Sequence, residues 1–201
     1  MIPAGGNHFD KYSSRNPAVR FLTRRFCSAV QELAKSTGVK EVHEVGCGDG
    51  HLTRLFASGG FLAFGSDRCP EIISWAEAET ERNGGRARFL HSELGDLSPE
   101  KGAAPLILCC EVLEHLEDPD AALRKLAELA RPFVILSVPS EPLWRFLNFG
   151  TGRYMRRFGN TPGHLQHWSP HEFIRTVERH FDVLEVRKPL PWTVVLARTR
   201  A

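Results

Sequence analysis

The chain has 201 residues, enough for one domain with a full core and too few for a second unit of ordinary size. Its 26 basic residues nearly balance 24 acidic ones, which excludes a protein working mainly by non-specific electrostatic binding to nucleic acid and leaves a small-molecule partner as the expectation. No apolar run reaches the length of a membrane span, and Met1–Lys11 lacks an apolar stretch led by positive charge, so a cytoplasmic protein with no membrane partner is expected.

Asn16-Pro17 opens a helix whose apolar positions Val19, Phe21, Leu22, Phe26, Val30 and Leu33 keep a helical period up to Gly38, giving an N-terminal helical extension over residues 1–38. Strand and helix then alternate: a strand at Lys40–Val45, a helix at His51–Ala57, a strand at Phe61–Gly65, a helix at Pro70–Arg82 and a strand at Ala87–His91. The run Leu106–Cys110 is apolar throughout, as a central strand buried on both faces requires. A helix at Pro119–Ala130 and a strand at Phe133–Val138 continue the pattern, which implies right-handed βαβ units and a parallel sheet. Periodicity is lost over 139–169, where Phe146, Phe149, Tyr154 and Trp168 mix with Arg145, Arg153, Arg156 and Arg157. That segment reads as an insertion over the strand ends, its aromatics lining an acceptor pocket. A helix from Ser169 to His180 and strands near Phe181–Arg187 and Thr193–Ala197 close a single domain over 1–201. Ser169 with Glu172 three residues on has the form of a capping box. Of the five cysteines, the adjacent Cys109 and Cys110 in an apolar run read as buried reduced thiols.

Chemistry concentrates at Glu44-Val45-Gly46-Cys47-Gly48-Asp49-Gly50, between the first strand and its helix. Missing side chains at 46, 48 and 50 let the backbone turn sharply and approach a ligand closely. The spacing is Gly-x-Gly-x-Gly rather than the Gly-x-Gly-x-x-Gly of dinucleotide sites, and Glu44 suits a cationic amino acid group better than a pyrophosphate. Asp67 ends the second strand 21 residues after Gly46, where a carboxylate can accept hydrogen bonds from both hydroxyls of a ribose. Arg68 follows it, and Glu93 and Leu94 follow the third strand, where they could bond and pack on an adenine.

With Gly65-Ser66-Asp67 and Cys110-Glu111-Val112-Leu113-Glu114-His115-Leu116-Glu117-Asp118-Pro119, the glycine segment resembles the successive motifs of class I S-adenosylmethionine-dependent methyltransferases, over residues 40–197. The resemblance implies a Rossmann-like three-layer α/β sandwich with a seven-stranded, mostly parallel sheet in the order 3-2-1-4-5-7-6 and the last strand antiparallel. It also implies S-adenosyl-L-methionine as cofactor, with Glu44, Gly46, Gly48 and Gly50 around its methionine part, Asp67 at the ribose, Glu93 and Leu94 at the adenine and Glu111 beneath the sulfonium; Cys47 and Arg68, each next to one of these, complete the expected cofactor-binding residues. Glu93-Leu94 departs from the more usual Asp with a small residue, and the short segment between strands three and four leaves little room for a covering helix.

A sulfonium methyl is already activated, so such an enzyme mainly holds an acceptor in line and excludes water. A hydroxyl acceptor must also lose a proton, which an imidazole of ordinary pKa, about 6.5, accepts at neutral pH. His115, His164 and His167 are the candidates, for transfer to a small molecule at oxygen. Glu111, Glu114 and His115 fall at i, i+3 and i+4, one face of a helical turn, and with His164 would form a divalent-metal site. The pieces Glu-Val-Leu-Glu-His and His-Leu-Gln-His-Trp-Ser-Pro-His-Glu-Phe are similar to those of metal-assisted methyltransferases of RNA 3′ ends and of quinone-pathway O-methyltransferases. RNA 2′-O-methylation and non-catalytic cofactor binding are the alternatives.

Overall fold

The structure, a computed structural model, describes residues 11, 12, 14–141 and 165–200. Helix α1 (Pro17–Ser36) is followed by β1 (Glu41–Val45), α2 (His51–Ser58), β2 (Leu62–Asp67), α3 (Pro70–Arg82), β3 (Arg88–His91), the four-residue α4 (Pro99–Gly102) and β4 (Ala104–Cys110). Then come α5 (Pro119–Leu129), β5 (Ala130–Pro139), α6 (Pro170–Glu178), β6 (Phe181–Arg187) and β7 (Trp192–Thr199). The strands form one sheet in the order β3-β2-β1-β4-β5-β7-β6, with β7 antiparallel to both its neighbours. The implied sheet order and reversed last strand are both present.

Strand β4 shows why the sheet has helices on both faces. Ile107 and Cys109 enter a core with Leu123, Leu126 and Leu129 of α5 and Phe173 and Val177 of α6. The alternate residues Leu106, Leu108 and Cys110 enter a second core with Phe26, Val30 and Leu33 of α1 and Phe56 of α2. An apolar residue at every position therefore feeds two layers through the period-two alternation of a strand. Asn16 caps α1 by accepting from the Ala18 N–H, and the capping box at the start of α6 is complete, Ser169 and Glu172 each serving the other's backbone.

Helix α5 stops at Leu129, one residue before the expected end, because β5 begins at Ala130 ahead of Pro132. Between β3 and β4 there is only a 3-10 turn at Leu94–Asp96 and the single turn of α4, as the short segment implies. Trp168, partly buried, packs on Phe173 at 5.7 Å between ring centres, against the α5–α6 cluster. Phe146, Phe149, Tyr154, the four arginines of that segment and His164 lie outside the described residues. Among the described residues no helix is long and apolar enough to cross a membrane.

Candidate active site

The carboxyl ends of β1, β2 and β4 and the residues after β3 open onto one cavity of about 510 Å³. The glycine segment forms one wall. Its backbone is held by the end of β2: the N–H groups of Gly46 and Cys47 both donate to the Ser66 carbonyl, and that of Gly48 donates to Asp67 Oδ2 at 3.0 Å. The second Asp67 oxygen accepts from the Cys69 N–H at 2.9 Å, so this carboxylate fixes the loop while lining the cavity. Gly46 has φ of +75° and meets Val112, whose Cγ2 would lie 2.4 Å from an added Cβ. Only glycine allows both the left-handed backbone and that approach.

Gly46, Cys47, Gly48, Asp67, Arg68, Glu93 and Leu94, all expected at the cofactor, line the cavity together. Gly50 is not among the lining residues. It caps α2 with φ of +73°, and an added Cβ would lie 2.5 Å from the Phe89 ring, so its missing side chain makes room for β3 and not for a ligand.

Glu44 also lines the cavity but is 4 % exposed and accepts a hydrogen bond from Thr53 Oγ1 of α2. Burial pushes its carboxyl up to about 8, against the Thr53 hydrogen bond and the more distant Lys11 ammonium, which favour the charged form. The neighbouring His43 faces away into the sheet packing, bonded to the Gly102 carbonyl and to Ser66 Oγ, and burial lowers it to about 4.

The opposite wall begins where β4 ends. Glu111 adopts φ of +61°, rare for a residue with a side chain, while its N–H still donates to the Ser137 carbonyl of β5. Its Oε2 accepts from Lys11 Nζ at 3.1 Å and from Trp192 Nε1 at 2.6 Å; its Oε1 is buried without a hydrogen-bond partner among the described residues. Glu114 is 2 % exposed, its Oε2 equally unpartnered, and burial, then the charge of Glu111, holds its carboxyl well above the usual carboxylate range. The backbone N–H groups of Leu165 and Gln166 anchor the Glu114 carbonyl.

Glu111, Glu114 and His115 all line the cavity, yet they do not share a helical face. The helical turn is a 3-10 turn starting only at Leu113, and the left-handed Glu111 stands before it, committed to Lys11 and Trp192. No group of three or more His, Cys, Asp or Glu among the described residues could hold a metal ion. His167 pairs with Glu141 at 3.6 Å and does not line the cavity.

Sequence reasoning missed Lys11, Tyr12 and Trp192. Lys11 and Tyr12 form a strap before α1, Tyr12 stacked on His51 at 3.9 Å, and Trp192 starts β7. Orphaned carboxylate oxygens beside a glycine cradle fit a ligand that brings cationic or hydrogen-bonding groups.

Comparison with known proteins agrees with this geometry. The model of a family described as a methyltransferase domain matches residues 18–185. The ubiquinone biosynthesis O-methyltransferases of Bordetella avium and Vibrio campbellii are 31 % and 33 % identical over 104 and 103 residues, covering 51 % and 50 % of this chain. The chain spans less than half of those relatives, 43 % and 44 % of their lengths. Among solved structures, magnesium protoporphyrin IX methyltransferase from Synechocystis PCC 6803 with bound SAH superposes with a TM-score of 0.69 at 20 % identity, over 93 % of this chain and 89 % of that one. The N-methyltransferase NodS of Bradyrhizobium japonicum WM9 gives 0.68 at 18 % identity, over 90 % and 98 %. The sheet order, the glycine loop and the matched domain together define the chain as a member of the class I S-adenosylmethionine-dependent methyltransferases.

Proposed function

We propose that the enzyme methylates a hydroxyl oxygen of a small molecule. One observation carries this reading: two buried carboxylate oxygens, Glu111 Oε1 and Glu114 Oε2, stand without hydrogen-bond partners among the described residues in the wall of the cavity that His115 also lines. Buried acceptors of this kind are costly unless a donor meets them, and a hydroxyl-bearing acceptor supplies one. The relatives named as ubiquinone biosynthesis O-methyltransferases support the choice of oxygen.

When bound, S-adenosyl-L-methionine supplies an activated methyl group. We assign Gly46, Cys47, Gly48 and Glu44 to its amino acid end, Asp67 and Arg68 to the ribose side, and Glu93 and Leu94 to the adenine. Asp67 is prepared for this role because two backbone N–H groups hold its carboxylate rigid before a ligand arrives. Glu111 and Glu114 orient the acceptor hydroxyl, and His115 takes its proton. The segment over 139–169 is assigned as the cover of the acceptor end.

Purified protein with methyl-labelled cofactor, offered phenols, quinols, alcohols, amines and RNA in parallel, tests the reading. Label should reach a hydroxyl oxygen of a small molecule. Transfer to amine nitrogen or to RNA alone would overturn it.

A further inference from the structure

We infer that Lys11 is a positioning residue: by neutralising Glu111 it sets how strongly the site prefers the sulfonium cofactor over its thioether product. The inference rests on the assignment of the cavity to that cofactor.

Lys11 is 9 % exposed, an unusual state for an ammonium. Its Nζ touches Glu111 Oε2 at 3.1 Å and lies 4.8 Å from the Phe26 ring centre, 5.0 Å from that of Trp192 and 5.2 Å from that of Tyr12. The Thr23 hydroxyl of α1 bonds its carbonyl, which ties the strap to the fold. Carboxylate and ring faces together replace the water that the ammonium has lost. Among the described residues, acidic side chains outnumber basic ones around the cavity, and of the lining cations Arg68 is exposed and Lys125 partly so, while Lys11 is buried.

On the cofactor, methyl transfer changes charge at one atom, the sulfur, while the base that takes the acceptor proton gains the charge the sulfur loses. The acceptor oxygen forms a bond to the methyl carbon, the carbon–sulfur pair returns to sulfur, the sulfonium becomes a neutral thioether, and the acceptor proton leaves to a base. A bare Glu111 carboxylate would hold the charged cofactor more tightly than the neutral product and so deepen the ground state from which transfer starts. Lys11 cancels that bias. Its ammonium disfavours the sulfonium and is indifferent to the thioether, so its effect falls on the difference between the two ligands and not on their shared adenosine and amino acid parts.

Calorimetric titration of the full chain with S-adenosylmethionine and with its demethylated product reads this difference without turnover. In Lys11→Met, the affinity for the sulfonium form relative to the thioether form should rise about tenfold, because unit charges as far apart as roughly 12 Å still interact by that much at an effective dielectric of about 20. Lys11→Arg should keep the wild-type ratio, and Glu111→Gln, leaving the ammonium unopposed, should lower it. In steady state Lys11→Met should lower kcat and the cofactor KM together. Equal change in both affinities would make Lys11 a structural tie only and overturn the inference; an unchanged ratio in Glu111→Gln would overturn it even were Lys11→Met to unfold. Wild-type protein that binds neither ligand would instead overturn the cofactor assignment itself.

Discussion

Replacing Glu44 by Gln should stabilise the fold while weakening the site. Glu44 stands on β1, paired on one side with β2 and on the other with β4, and burial raises its carboxyl from an ordinary 4.5 to about 8. Between those values the unfolded chain has released a proton that the folded chain keeps, so stability is lost as pH rises through the window. At about 1.4 kcal/mol per unit, the handicap is about 3 kcal/mol at pH 7 and nearer 5 kcal/mol above pH 8. Gln keeps an oxygen to accept from Thr53 Oγ1 and carries no ionisation to suppress. Urea unfolding at pH 4.5, 7 and 8.5 should therefore show the variant gaining almost nothing in acid, up to about 3 kcal/mol at neutrality and more in base. Cofactor affinity should fall most at pH 8.5, where Glu44 is ionised and a neutral amide cannot answer a cation as a carboxylate does, and least at pH 4.5, where both side chains are neutral. A stability difference independent of pH, or a Gln variant less stable than wild type at pH 8.5, would refute burial as the cause.

His43→Leu should flatten the acid limb of the stability profile: its imidazole is lowered to about 4, so wild type loses stability as pH falls from the ordinary value of 6.5 toward 4, by up to about 1.4 kcal/mol per unit, measurable by the same unfolding series. Asp67→Ala removes the acceptor for two backbone N–H groups and should weaken cofactor binding by about 1.5–3 kcal/mol in calorimetry; wild-type affinity would refute its assignment. Gly50→Ala forces a side chain into the left-handed region and against Phe89, and should cost about 2–4 kcal/mol of stability, with cofactor affinity kept wherever the protein stays folded. Turnover should survive chelator, because Glu111 is already committed to Lys11 and Trp192; loss restored by magnesium, manganese or zinc would refute this and return Glu111, Glu114 and His115 to a ligand set.

What could be read from the sequence was local. The glycine loop and Asp67 lie within 21 residues and need only one strand–helix–strand unit to meet, and the apolar run of β4 announces a doubly covered strand by itself. Contacts made over long separations had no such signal: Lys11 and Trp192 reach Glu111 across 100 and 81 residues. Gly50 misled because its spacing in the motif is indistinguishable from that of Gly46 and Gly48, while the group its Cβ would strike, Phe89, belongs to β3. The helical reading of Glu111, Glu114 and His115 assumed regular backbone, and one residue at φ of +61° sets it aside.

The reversed direction of β7 has a consequence for the order in which the enzyme is built. A parallel last strand would have started at the far edge of the sheet; running antiparallel to β5, it places Trp192 opposite Pro139, at the ligand edge. The indole then holds the carboxylate that also holds the N-terminal strap. During synthesis the glycine loop and Asp67 emerge early, but the clasp around Glu111 closes only after residue 192 has left the ribosome and β7 has slotted between β5 and β6. A ribosome-bound nascent chain halted short of that strand would carry the glycine-loop wall of the cavity and lack the indole that holds Glu111.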